Sequence, residues 1–269
     1  MTLAAVIQMT SGTDVQRNLD AAEVLLQQAA AQGAALAVLP ENFVLMGGHE
    51  HDKFAIAESF GDGKIQSYLS AISRELNLWI VAGTMPIKVS NETRVAAASL
   101  VFNAQGECVA RYDKMHLFDV DVSDAQGSYR ESASMVHGQV PMCVDTPIGK
   151  LGMAICYDMR FPELFRLLVN QGAQVFAIPA AFTMPTGRVH WEVLLRARAI
   201  ENLSYVMASA QTGLHENGRE TWGHSMIISP WGEILNSRSE APGVVITDIN
   251  LQNQAAIRQR FPVLSQRRL

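Results

Sequence analysis

The sequence is poor in cysteine, with only Cys108, Cys143 and Cys156 among 269 residues. An odd number of cysteines cannot pair into a closed set of disulfide bonds. The first nine residues form a short apolar run without the basic flank of a secretory leader, and they predict a strand instead. We therefore expect reduced thiols and a cytoplasmic location.

Long apolar runs and clusters of positive charge are also missing. No stretch approaches the roughly 18 apolar residues that a membrane-spanning helix needs. The net charge is −5 and the lysine and arginine residues are scattered, which leaves no basic face for the phosphates of a nucleic acid. The sequence therefore argues against a membrane protein and against a nucleic-acid partner.

The motifs that hold common metals and cofactors are absent as well. The seven histidines are dispersed, and neither His-Glu-x-x-His nor Cys-x-x-Cys occurs. There is no glycine-rich phosphate loop and no dinucleotide-binding fingerprint. We expect an activity that uses neither a metal ion nor a cofactor.

What the sequence does contain is apolar material for a large core, with 48% hydrophobic and 17% charged residues. This composition excludes disorder as the default state. Short apolar runs alternate with amphipathic segments. The runs predict strands at 3–9, 36–39, 79–85, 96–102, 109–112, 151–155, 175–178, 205–210, 225–228 and 244–249. The amphipathic segments predict helices from the cap Asp14 to near Gly33 and at 65–76, 162–171, 190–202 and 251–260.

Repeated strand–helix units with apolar strands are typical of an α/β protein whose sheets are covered by helices. The predicted strands are too many for one simple doubly wound sheet, so we expect two stacked sheets with helices outside. No linker, repeat or change in composition divides the chain. Residues 1–269 are expected to form a single domain.

Three residues with useful chemistry follow predicted strands, where functional groups of α/β sheets gather. They are Glu41, Lys114 and Cys156. Taken singly, each has an ordinary structural interpretation, namely a loop carboxylate, a surface cation and a small core thiol. Together they offer a base, a cation and a nucleophile, which is what acyl transfer through a thioester requires.

The chemistry follows from thiol reactivity. A thiol attacks as the thiolate, which a neighbouring ammonium favours and which a carboxylate in hydrogen-bond reach can generate. Attack on an amide places negative charge on its oxygen, and the ammonium of Lys114 with the backbone N–H of Tyr157 could stabilise that charge. The protonated carboxyl of Glu41 could then protonate the departing nitrogen.

These residues lie in three blocks that resemble the signatures of the nitrilase superfamily, the carbon–nitrogen hydrolases. The blocks are Leu-Pro-Glu-Asn at 39–42, Tyr-Asp-Lys-Met-His-Leu at 112–117 and Cys-Tyr-Asp-Met-Arg-Phe-Pro-Glu at 156–163. The resemblance implies a four-layer αββα sandwich and a Glu–Lys–Cys triad of Glu41, Lys114 and Cys156. It also implies a second glutamate beyond the lysine, for which Glu131 is the matching position. The family further implies at least a homodimer.

Downstream blocks resemble the branch that contains deaminated glutathione amidase. They are 190–201, 223–226 and 230–232. The substrate of that enzyme, deaminated glutathione, joins the carbon skeleton of 2-oxoglutarate to cysteinylglycine through an amide bond and carries carboxylates. Arg160 could bind one of these carboxylates or could form an ion pair with Asp158 or Glu163. Further candidates for the substrate pocket are Met115, Phe118, Tyr157, Phe182 and Thr183.

Two other functions remain open at this point. An ω-amidase acting on 2-oxoglutaramate would need the same oxo-acid end and would differ only in the amine that leaves. A catalytically silent member would use the same fold for binding, although the intact set of three residues argues against it. The loop 119–138 is expected to cover the site.

Overall fold

The computed structural model describes residues 2–49, 51–124 and 126–268. The strands are β1 (Thr2–Gln8), β2 (Leu36–Val38), β3 (Trp79–Val81), β4 (Met85–Lys88), β5 (Val95–Phe102), β6 (Cys108–Asp113), β7 (Asp119–Asp121), β8 (Ser128–Arg130), β9 (Met135–Val136), β10 (Cys143–Thr146), β11 (Gly149–Met153), β12 (Val175–Ala180), β13 (Tyr205–Ala210), β14 (Thr212–Leu214), β15 (Glu220–Trp222), β16 (Ser225–Ile228), β17 (Ile234–Arg238) and β18 (Gly243–Ile249). The helices are α1 (Val15–Ala31), α2 (Asp52–Ala55), α3 (Lys64–Glu75), α4 (Pro162–Asn170), α5 (Met184–Asn202) and α6 (Leu251–Arg260).

Most of these strands form two mixed sheets. The first has the order β18-β1-β2-β3-β5-β4, and β6 and β9 also pair with β5. The second has the order β10-β11-β12-β13-β16-β17. Three neighbouring strands run parallel in each sheet, β1, β2 and β3 in the first and β11, β12 and β13 in the second. Two short hairpins, β7–β8 and β14–β15, lie apart from the sheets.

The two sheets pack face to face around one hydrophobic cluster. Buried side chains of β1 and β2, such as Val6 and Val38, share this cluster with Met153, Ala177 and Ala208 of the second sheet. Alternate residues of a strand point to opposite faces, so the same strands also carry a second apolar face. The core therefore consists of more than one apolar layer.

Helices cover the two outer faces. On the first sheet, Leu26 of α1 and Leu69 of α3 are buried in a cluster with Ile7 and Leu39. On the second sheet, α4 sets Phe165 edge-on to Phe176 of β12, with ring centroids 5.0 Å apart. The layers run helix, sheet, sheet, helix, which confirms the expected αββα sandwich.

One predicted strand, 79–85, is divided in two. Gly83 has a φ of +42°, and a Cβ at this position would lie 2.0 Å from the carbonyl oxygen of Pro40. Only glycine allows so close an approach. The resulting turn separates β3 from β4 and lets the Thr84 hydroxyl accept a hydrogen bond from the backbone N–H of Asn42 at 2.8 Å. This hydrogen bond holds in place the segment that contains Glu41.

The expected strand 151–155 ends earlier than the sequence indicated. β11 stops at Met153, and a 3₁₀ turn covers Cys156–Arg160. The sequence analysis did not predict the short elements α2, β7, β8, β9, β10, β14, β15 and β17, because they lack a sustained apolar period. Within the described residues, no helix combines the length and the apolar character that crossing a membrane requires.

Candidate active site

Three strand ends from two sheets supply the central groups of the site. Glu41 follows β2, Lys114 follows β6 and Cys156 follows β11. β3 and β6 are both antiparallel to β5, so β6 runs in the same direction as β2 and ends at the same edge. The face-to-face packing of the sheets adds the end of β11 to that edge.

The ammonium of Lys114 lies between two carboxylates. Its Nζ donates to Glu41 Oε1 at 2.8 Å and to the two carboxylate oxygens of Glu131 at 3.0 and 2.8 Å. An ammonium has three N–H donors, and these contacts use all of them. The side chain of Lys114 is 2% exposed, so the group is held in a medium of low polarity where charge interactions are strong.

The charges of neighbouring groups keep both Lys114 and Glu41 ionised. Burial works to lower the pKa of Lys114, but the carboxylates of Glu131 and Glu41 raise it well above its ordinary value. Burial works to raise the pKa of Glu41, but Lys114 and further hydrogen bonds hold it below its ordinary value. Glu41 therefore rests as a carboxylate, and its second oxygen accepts the backbone N–H of Ala181 at 2.9 Å.

Cys156 occupies a sharp turn with a φ of +46°. A non-glycine residue in this region is strained by about 1–3 kcal/mol, and the surroundings must hold it there. Asp158, which is completely buried, does so by accepting the backbone N–H of Ile155 at 2.8 Å and the Tyr112 hydroxyl at 2.7 Å. It also accepts the backbone N–H of His116 at 3.0 Å, which ties the turn to the segment after β6.

The ionisation of Cys156 differs from the sequence-based expectation. We expected the neighbouring ammonium to favour the thiolate. Instead, burial and the negative charge of Glu41 raise the pKa of Cys156 well above its ordinary value, and Lys114 offsets only part of this effect. The resting group is a thiol that lies beside the Glu41 carboxylate. Glu41 is thus placed to take the proton.

A cavity of about 60 Å³ opens onto these groups. Besides Glu41, Lys114, Glu131 and Cys156, its lining residues are Asn42, Lys53, Phe118, Tyr129, Met135, Tyr157, Ala181, Phe182, Thr183, Thr186 and Arg219. Phe118, Tyr129, Glu131 and Met135 belong to or flank the segment 119–138, of which residue 125 lies outside the described residues. The Glu131 carboxylate also accepts the backbone N–H of Phe118 at 2.7 Å, which anchors this segment.

Four of the proposed pocket residues, Phe118, Tyr157, Phe182 and Thr183, line the cavity, but Met115 and Arg160 do not. Met115 packs against the hydrophobic core. The Arg160 guanidinium lies 3.3 Å from His190 Nδ1 and stands over the rings of Tyr157 and Phe182, at 5.7 and 5.4 Å.

The ion pair of Arg160 with Asp158 is not formed. The two carboxylate oxygens of Asp158 are used instead by Ile155, Tyr112 and His116, as described above. The His116 side chain adds a contact of 2.7 Å between its Nδ1 and Asp158, and its ring stacks on Phe161 with centroids 3.7 Å apart. Asp158 therefore organises the turn that contains Cys156 rather than balancing Arg160.

Arg219 is a cavity residue that the sequence did not reveal. It precedes β15, and its Nη2 donates to the carbonyl oxygen of Ala181 at 2.5 Å. Its guanidinium stands 5.2 Å from the ring centre of Tyr129. The local sequence Asn-Gly-Arg-Glu at 217–220 is typical of a surface turn. No signal within it could have found this role, because the hairpin β14–β15 brings it to the site.

The family profile described as carbon–nitrogen hydrolase matches residues 3–259. The chain belongs to the carbon–nitrogen hydrolase family. The expected membership is confirmed, and with it the class of reaction, hydrolysis of a carbon–nitrogen bond.

One relative by sequence and two solved structures are similar to this hydrolase over nearly its whole length. It is 45% identical over 268 residues to a protein of Synechocystis sp. named deaminated glutathione amidase, covering 98% of this chain and 97% of that one. The structure resembles the NitFhit protein of C. elegans with a TM-score of 0.91 and 36% identity, covering 99% of this chain and 65% of that longer one. It also resembles an amidase from Nesterenkonia sp. that carries acrylamide on its active-site cysteine, with a TM-score of 0.78, 25% identity and coverage of 97% and 99%.

Proposed function

We propose that this hydrolase is a cofactor-free amidase that cleaves deaminated glutathione into 2-oxoglutarate and cysteinylglycine through a thioester on Cys156. The observation that carries the chemistry is the buried cluster in which the Cys156 thiol meets the Glu41 carboxylate beside Lys114. The choice of substrate is supported by the name of the Synechocystis relative.

In the first step, Cys156 Sγ attacks the amide carbon while Glu41 takes the thiol proton. The backbone N–H of Tyr157 and the ammonium of Lys114 stabilise the oxyanion. In the resting site the three N–H groups of Lys114 are taken by carboxylate oxygens. Protonation weakens Glu41 as an acceptor, so that one N–H of Lys114 becomes available to the oxyanion as its charge develops.

In the second step, Glu41 returns the proton to the amide nitrogen, the C–N bond breaks and the amine leaves. Glu41 then takes a proton from a water molecule whose oxygen attacks the thioester carbon. The C–S bond breaks, and the Cys156 sulfur recovers its proton from Glu41. One residue serves as base and acid in turn, which a carboxylate in contact with the thiol can do.

Glu131 has a positioning role in this scheme and lies on the substrate side of the cavity. Its two oxygens hold the ammonium of Lys114, and one of them also accepts the N–H of Phe118. This arrangement keeps Lys114 oriented when Glu41 becomes protonated. Phe182 and Thr183 provide walls for the acyl half of the substrate.

The substrate assignment is tested by comparing kcat/KM for deaminated glutathione and for 2-oxoglutaramate. We expect a preference of about tenfold or more for deaminated glutathione, because one added hydrogen-bonded charge contact changes transition-state binding by that order. A preference of similar size for 2-oxoglutaramate would establish the ω-amidase instead. No turnover of either compound, with the Cys156→Ala variant equally inert, would favour the silent binding protein.

We further propose a cytoplasmic homodimer. The three cysteines are free thiols, which fits a reducing compartment. Val189 and Val193 on α5 are 57% and 68% exposed, and Leu167 on the neighbouring α4 is 47% exposed. Sedimentation analysis should give twice the mass of the chain, and Val193→Glu should shift it toward the single chain because a charge cannot be buried at an apolar interface. A wild-type protein that sediments as a single chain would contradict the dimer.

A further inference from the structure

A second and larger cavity adjoins the one at Cys156. Its volume is about 400 Å³. It shares four lining residues with the smaller cavity, namely Asn42, Lys53, Met135 and Arg219. The smaller cavity lies below the range of about 300–1,000 Å³ that is typical of ligand sites, whereas the larger one lies within it. The substrate proposed above is too large for the smaller cavity alone, and bound at Cys156 it would extend into the larger one.

The described residues that line the larger cavity carry charge of one sign. Lys53 and Arg219 line it, and among its described lining residues there is no aspartate or glutamate. Apolar side chains such as Ile56 and Met85 form part of the wall. Two cations in a partly apolar recess favour an anionic ligand.

Arg219 adds an unsatisfied donor at this position. Its Nη2 is bonded to Ala181, but its Nε is buried and has no hydrogen-bond partner among the described residues. A buried donor without an acceptor is unfavourable by about 1–3 kcal/mol. Lys53 approaches from α2, with its Nζ 3.1 Å from the hydroxyl of Ser134. Both cations are thus fixed where the two cavities meet.

We propose that the larger cavity binds the amine half of the substrate, and that Lys53 and Arg219 bind the carboxylate at its end. This inference rests on the proposed function, in which the amine half is cysteinylglycine. A dipeptide spans about 7 Å when extended, so its carboxylate can lie in the larger cavity while its nitrogen is at Cys156. Lys53 and Arg219 are then specificity-determining residues, which distinguish a dipeptide amide from a simple amide.

The test uses two substrates that differ only in this carboxylate. One is deaminated glutathione, and the other is its analogue with a C-terminal carboxamide. We expect wild-type kcat/KM to favour the carboxylate by about 10- to 100-fold, as for hydrogen bonds to a charged group. In Lys53→Met the ratio should fall toward one, and Lys53→Arg should retain most of it. Lys64→Met, at an exposed lysine that begins α3, is the matched control and should keep the wild-type ratio.

A binding experiment separates this inference from the proposed function. Calorimetry compares cysteinylglycine with cysteinylglycinamide on wild type and on Lys53→Met. If deaminated glutathione is hydrolysed but the carboxylate gives no advantage, or Lys53→Met keeps the full wild-type advantage, the site is refuted and the function stands. If deaminated glutathione is not hydrolysed but the dipeptide carboxylate strengthens binding through Lys53, the function fails and the site stands. Failure of both readouts refutes both.

Discussion

Replacing Cys156 by alanine lowers kcat/KM for the amide substrate by about 10⁴- to 10⁶-fold, the scale of removing a covalent nucleophile. The loss is this large because no other thiol reaches Glu41 and Lys114. Cys108 is exposed and Cys143 is half-buried on β10, away from the lining of the cavity. The backbone strain at position 156 changes little, because alanine and cysteine both carry a Cβ at a positive φ.

The measurement is steady-state kinetics of Cys156→Ala, with Cys108→Ala and Cys143→Ala as matched controls. Both controls should stay within about twofold of wild type, as expected for residues outside the reaction. Thermal unfolding of all three variants shows whether the fold is kept. A well-folded Cys156→Ala enzyme that retains more than a few per cent of its activity would contradict the assignment of the nucleophile.

Replacing Glu41 by glutamine lowers kcat by about 10²- to 10⁴-fold, the range of general acid–base catalysis. Glutamine keeps the shape of the side chain but cannot take the thiol proton. The charge of Glu41 no longer raises the pKa of Cys156 in this variant, but burial, the larger cause, still does, and no base is left to take the thiol proton. Glutamine also presents an NH₂ group to one of two donors, Lys114 or Ala181, so we expect a loss of about 1–3 kcal/mol in stability.

The pH dependence of the wild-type enzyme checks the same residue. Lys114 holds the pKa of Glu41 below 4.5, so the base stays ionised and kcat/KM should remain level down to about that pH. Above pH 4.5, the ordinary pKa of this group, the ionised Glu41 stabilises the fold. This contribution to the free energy of unfolding is lost as the pH falls through the lowered pKa of Glu41. The control is the free energy of unfolding measured over the same pH range. If kcat/KM fell in acid with a midpoint near neutrality while the protein stayed folded, Glu41 could not be the base.

The sequence predicts the residues that follow apolar strands and misses those that depend on loops. Glu41, Lys114 and Cys156 could be named because each ends a readable apolar run, and parallel strands end at a common edge. Arg219 and Lys53 reach the cavity through a hairpin and a four-residue helix, which have no periodic pattern of their own.

The charge state of Cys156 could not be predicted for a different reason. The sequence shows a cation and a base near a thiol but not their burial, and burial decides the direction of the pKa shift. The sequence also could not show which way the side chain of Met115 faces. Met115 lies next to Lys114 in the chain, but successive residues beyond a strand can face opposite ways, and its side chain packs against the core.

The central claim is a covalent acyl intermediate on Cys156. The most direct measurement is mass spectrometry of wild-type enzyme mixed with deaminated glutathione and quenched in acid within the first turnover, followed by peptide mapping. The account predicts a 2-oxoglutaryl group on the peptide that contains Cys156, formed and lost at rates consistent with turnover. The same label on Cys108 or Cys143, or active turnover with no acylated enzyme at any quench time, would contradict it.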